Sequence, residues 1–120
     1  MLSQNRHQLY QTLSFELQGL QRTATQGNLV RAELITELRR MSQWFGEEVM
    51  NLNPLESESL PQLQLSYLTE MHRLFRLLAM DVTFLQVSRQ STTTEKRLEM
   101  IRDRVQTLIR YCDALLGEYK

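Results

Sequence analysis

Glu70 and His72 are the nearest approach in this chain to a metal half-site, and their spacing is wrong for one. Di-metal helical bundles use Glu-x-x-His, because ligands three residues apart share one side of a helix. Two residues apart, the side chains diverge by about 200° around the axis. His7 and the single cysteine, Cys112, are too far away in sequence to complete a zinc set, so no metal ligands are assigned. Phosphotransfer bundles expose a histidine followed one turn later by Lys and Gly. His72 is followed there by Phe75 and Arg76, and the pattern fails. Gly19, Gly27, Gly46 and Gly117 are scattered and form no phosphate-binding loop. Cys112 falls in phase with an apolar stripe and reads as a small buried hydrophobe, not a nucleophile. The expectation is therefore a protein without catalytic residues, cofactor or metal, and not an enzyme.

Three polar features compete as contacts to a partner. Asp81 interrupts an apolar stretch, and an ion pair with an arginine of a neighbouring helix, such as Arg102 or Arg110, is preferred to a partner contact. Arg97, Arg104 and Tyr111 form an i, i+7, i+14 row. Arg and Tyr are enriched at binding hot spots, but an edge row of arginines is also the usual form of a solvated flank, and both readings stay open. Trp44 flanks the second helix and is expected to close the end of the core.

The elements that must position these residues are helices. Tyr10, Leu13, Leu17, Leu20 and Ala24 form an inward stripe on a first helix over about 3–25, ended by Gln26-Gly27-Asn28, where Gly and Asn take the left-handed conformation. Leu34, Leu38, Met41, Phe45 and Val49 place a second helix over about 29–50, with a kink or fraying beyond Phe45 at Gly46. Residues 51–59 read as a loop, since Pro54 pushes Asn53 out of the helical region. Pro61 suits the first turn of a long third helix, capped by Ser59 or Leu60 and running to about Arg89. Thr92 and Glu95 have capping-box spacing ahead of a fourth helix carrying Leu98, Ile101, Val105, Leu108, Cys112 and Leu115, which ends at Gly117. Short connections make neighbours antiparallel, so the expected fold is all-α, a single-domain, up-and-down antiparallel four-helix bundle spanning 1–120.

The third helix carries two stripes. Leu68, Met71, Phe75, Leu78, Val82 and Leu85 form one. Leu77, Met80, Phe84 and Val87 form the other, displaced by about 200°. A helix with two stripes must be covered on both sides. The second cover is more of this chain, a second copy, or another protein. Leu77, Met80, Phe84 and Val87 are accordingly candidate interface residues, with Arg97, Arg104 and Tyr111 as a rim.

Composition narrows the partner. Lys and Arg number 14 and Asp and Glu 14, a formal net charge of zero that argues against nucleic acid. Lys96 and Lys120 are the only lysines, and arginine favours forked contacts to carboxylates over diffuse attraction. At 120 residues the chain can bury roughly two-thirds of the surface its unfolded form exposes. One cysteine permits no internal disulfide. The N-terminal residues lack the apolar core of a signal peptide. The densest apolar stretch, Leu74 to Val87, is about 14 residues and broken by Arg76 and Asp81, against the roughly 20 a membrane span needs. A cytoplasmic protein without membrane insertion is expected.

Leu77 to Ser91 (LLAMDVTFLQVSRQS) and Met100 to Gly117 (MIRDRVQTLIRYCDALLG) resemble the cyanobacterial PatD family. The resemblance lies chiefly from Tyr67 onward. It rests on Met80-Asp81-Val82, Phe84-Leu85-Gln86, the Arg89-Gln90 exit and Leu108-Ile109-Arg110-Tyr111-Cys112. The first half agrees only in length and helical pattern. The resemblance implies a non-enzymatic regulator of heterocyst frequency that acts through the cell-division protein FtsZ and links division to differentiation. It carries no site residues across. The alternatives are a structural homodimer with no other ligand and a phosphotransfer-type bundle.

Overall fold

Leucine, glutamine, glutamate and arginine, all strong helix formers, dominate the chain, and helices form where they run uninterrupted. The computed structural model describes residues 4–27 and 29–117, and the regular structure among them is entirely helical. Helix α1 spans Gln4–Thr25, α2 Arg31–Trp44, α3 Pro54–Ser59, α4 Gln62–Val87 and α5 Ser91–Gly117, with a π-helical turn, Phe45–Val49, continuing α2.

Among the described residues five helices stand where the stripes predicted four, and the addition is α3. Its six residues lie in the segment expected to be a loop. Asn53 does leave the helical region, at φ −73° and ψ 166°, but it does so as an N-cap. Its side chain accepts from the Glu56 backbone N–H at 2.7 Å, and Glu56 accepts in return from the Asn53 N–H at 3.2 Å. Pro54 occupies the first helical position, where its missing N–H costs nothing. Asn-Pro-x-Glu was thus a start signal, hidden because a helix this short shows no apolar periodicity.

Other boundaries moved for similar local reasons. Gly27 does not take a positive φ, and Asn28 and Ser3 lie outside the described residues. The end of α1 is marked instead by the Thr25 hydroxyl donating back to the Gln21 carbonyl at 2.8 Å. At Gly46 the helix does not fray but widens into the π turn, closed by the Met50 N–H donating to the Phe45 carbonyl at 2.9 Å. Pro61 is the N-cap of α4, and the helix ends at Val87, before Arg89. The Thr92–Glu95 capping box does not form, because α5 already begins at Ser91; Glu95 pairs with Arg102 instead.

The stripes behave as their spacing dictates. Every predicted inward residue of the four long helices is buried, in one core cluster. Each leucine so buried contributes about 1.5–3 kcal/mol relative to exposure. Phe45 at the π turn meets Phe75 of α4 with ring centroids 4.6 Å apart, and Trp44 packs half-buried against the same core. Around the core α1 packs on α5, α5 on α4, α4 on α2, and α2 on α1. Two of these pairs run in opposite senses: Ala24 and Tyr10 of α1 meet Arg102 and Cys112 of α5, while Leu77 and Tyr67 of α4 meet Arg104 and Tyr111. The result is a rod of 50 × 23 × 19 Å. Among the described residues, no helix is long and apolar enough to cross a membrane.

Candidate functional site

The α4–α5 seam gathers most of the residues singled out by sequence. Asp81 lies where the two stripes of α4 meet, and its side chain is fully buried. Arg97 and Arg104, seven residues apart on α5, stand about 10 Å apart along the helix. They reach the carboxylate from either side. Arg97 Nη1 donates to Asp81 Oδ1 at 2.9 Å, and Arg104 Nη1 donates to Oδ2. Arg104 also reaches the Leu77 carbonyl at 3.5 Å. Each arginine keeps about a fifth of its side chain exposed, at 23% and 22%.

The preferred reading of Asp81 therefore holds in kind but not in partner. Arg102 points the other way, donating to the Ala24 carbonyl at 2.6 Å and to Glu95, and Arg110 is exposed. The arginine row is neither a freely solvated flank nor a free rim: two of its members are spent on an internal carboxylate. Tyr111, the third, packs against Tyr67 with ring centroids 5.7 Å apart and planes tilted by 49°. The direction of α5's edge toward α4 decided this, and sequence spacing carries no such information.

The second stripe of α4 is not covered by the described residues of this chain. Met80 is 55% exposed, Phe84 48% and Val87 69%, while Leu77 is half-buried. Phe84 is held in place: the Arg97 guanidinium lies 4.4 Å from its ring centroid, in cation–π geometry. Asp81 thus orients Arg97, and Arg97 orients Phe84. The outcome is an apolar strip along one side of the rod, bordered by guanidinium groups.

Two arginines do structural work that spacing did not reveal. Arg6 is buried in α1 and donates to the Val49 carbonyl at 2.8 Å and to the Tyr10 hydroxyl at 2.9 Å, with Glu56 of α3 at 3.9 Å. It thereby ties α1, the π turn and α3 together; the i, i+4 spacing of Arg6 and Tyr10 was the one available clue. Burial raises the Tyr10 hydroxyl above its ordinary pKa, against the opposing pull of Arg6. Arg31 donates to the Leu85 and Ser88 carbonyls at 3.0 and 2.9 Å, putting positive charge on the C-terminal end of α4.

Glu70 pairs with Arg73 at 2.7 Å and His72 faces solvent. Cys112 is inaccessible, donates to the Tyr10 carbonyl at 3.3 Å, and burial pushes its thiol up to about 12. Among the described residues, no group of three or more His, Cys, Asp or Glu side chains is placed to hold a metal ion. A groove of about 490 Å³ between α2 and α4 is lined by Leu38, Arg39, Ser42, Gln43, Ala79, Val82 and Thr83. It has arginine as its only charged group. No family model, curated protein or solved structure matches this chain.

Proposed function

We propose that this chain is a non-enzymatic protein-binding regulator acting in the cytoplasm, and that the α4–α5 face carrying Met80, Phe84 and Val87 is its docking surface. The four long helices act as an up-and-down antiparallel bundle whose role is to hold that face rigid. One observation carries the reading: an apolar row remains exposed on a helix whose opposite side is fully buried, and an internal ion pair fixes the aromatic at its centre. Contiguous exposed apolar residues mark interaction surfaces more often than they occur idly. Large anchors held in one rotamer lower the entropy cost of binding. The resemblance of 77–91 and 100–117 to the PatD family makes FtsZ the partner to test, with control of heterocyst frequency as the biological role.

The test is Phe84→Ser. Phe84 is half exposed, so the substitution should leave the melting temperature within a few degrees of wild type. Binding to FtsZ in a pull-down should weaken by more than about tenfold, as for a hot-spot aromatic. Loss of binding accompanied by unfolding would assign Phe84 to the core and remove the docking face. Undiminished binding by a folded variant would move the interface elsewhere.

A further inference from the structure

The charges of this neutral chain are segregated along the rod. From Met71 to Gln90 the acidic residue is Asp81 alone, buried and bound to two arginines, so the seam keeps one positive charge in excess. Arg76 lies one helical turn before Met80 on the same row, and Arg89 follows Val87; neither has an ion pair among the described residues. On its α4 side the exposed apolar strip is therefore bordered by cations without competing acids; α5 carries the exposed Glu99 and Asp103 together with Lys96. The opposite pattern occurs over the π turn and α3. Residues 45–59 carry Glu47, Glu48, Glu56 and Glu58 and no Lys or Arg. Leu55 of α3 is 75% exposed, on a turn locked by the Asn53–Glu56 capping box. Glu56 is engaged by Arg6, whereas Glu48 and Glu58 have no ion pair among the described residues.

These two surfaces cannot meet within one molecule. The segment α3 immediately precedes the start of α4 at Gln62, and Phe84 lies about 33 Å further along that helix. Leu55 and the acidic stretch are thus near one end of the rod, and the apolar strip with its basic border is toward the other. We infer that the acidic end of one copy, Leu55 with Glu58 and Glu48, docks on the Met80–Phe84 strip of the next copy, with Arg76 and Arg97 meeting the carboxylates. This rests on the reading of the α4–α5 face as a docking surface and names a second copy as its occupant. Such a contact joins different patches on the two chains, so it propagates head to tail and does not close into a two-fold dimer. Zero net charge removes the long-range repulsion that would oppose it.

Sedimentation velocity on the full chain tests this, from about 10 μM to about 1 mM because a contact of this size is transient. Wild type should show a sedimentation coefficient rising with concentration, and the rise should vanish between about 0.05 M and about 0.5 M salt. Arg76→Glu and Glu58→Arg each change an exposed side chain, and circular dichroism should find both folded. Each alone should associate at least tenfold more weakly than wild type. Mixed in equal amounts they should recover association, because one junction pairs the unchanged strip with the unchanged acidic end and the alternate junction pairs the two reversed charges. Association unaffected by Glu58→Arg but lost in Arg76→Glu would overturn the head-to-tail contact in favour of a symmetric pairing of α4 faces. A wild-type chain that stays monomeric throughout also overturns it. If that chain still binds FtsZ through Phe84, the proposed function stands without it.

Discussion

Replacing Asp81 with Asn keeps the shape of the side chain and removes the one charge that holds the α4–α5 seam. In the native protein the carboxylate is fully buried and accepts from both Arg97 and Arg104. Removing one partner of a fully buried ion pair costs about 3–5 kcal/mol, because the remaining charge is stranded. Here the stranded groups are guanidinium side chains still 23% and 22% exposed, which can turn toward water. That escape discounts the cost to about 2–3 kcal/mol. For a chain of 120 residues the corresponding fall in melting temperature is about 8–12 °C. Thermal unfolding by circular dichroism measures it directly. The arginines provide an internal control: Arg97→Gln or Arg104→Gln alone leaves Asp81 one cation and should cost about 1 kcal/mol, while the double replacement should exceed the sum of the two. A shift in Asp81→Asn of under about 2 °C, or strictly additive arginine replacements, would refute the claim that this carboxylate organises the seam.

Three further outcomes follow from the same geometry. Leu108→Ala removes a fully buried side chain of α5 and should cost about 2–5 kcal/mol in urea unfolding; a near-zero cost would mean the core face of α5 is misassigned. Gly46→Ala meets nothing within 4 Å and needs no positive φ, so it should stabilise by about 0.5–1 kcal/mol through helix propensity, and a loss of stability would show that the π turn depends on glycine. Cys112 should resist thiol reagents until the protein unfolds. Its native pKa is raised from 9.0 to about 12, so the native state holds the proton that the unfolded chain releases. Its contribution is complete below pH 9 and is lost as pH rises through the window up to about 12. The stability gap between wild type and Cys112→Ala should accordingly shift against wild type by roughly 1–2 kcal/mol between neutral pH and the middle of that window, and a constant gap would contradict the assignment.

Amphipathic periodicity is a local property, and what depends on it was legible in the residues. A stripe such as Leu98, Ile101, Val105, Leu108, Cys112, Leu115 has one way to be buried at helical spacing, and all six side chains are inside. The same arithmetic separated the two stripes of α4 by about 200° and so marked Met80, Phe84 and Val87 as a problem to be solved. Capping chemistry was also present in the residues, at Asn53 with Glu56, but a helix too short for periodicity could be recognised by nothing else. Which neighbour covers which face is not local. Whether α1, α2 or nothing in this chain lay over the second stripe depended on how the helices are arranged around the core, and that arrangement leaves Phe84 half exposed. Asp81 shows the division most clearly. Its need for a cation followed from a charge inside an apolar stretch, whereas the choice of Arg97 and Arg104 over Arg102 and Arg110 followed from the rotation of α5, which turns the first two toward α4 and Arg102 toward α1. Spacing along one helix sets which residues share a face; the direction in which that face points is a property of the packed core.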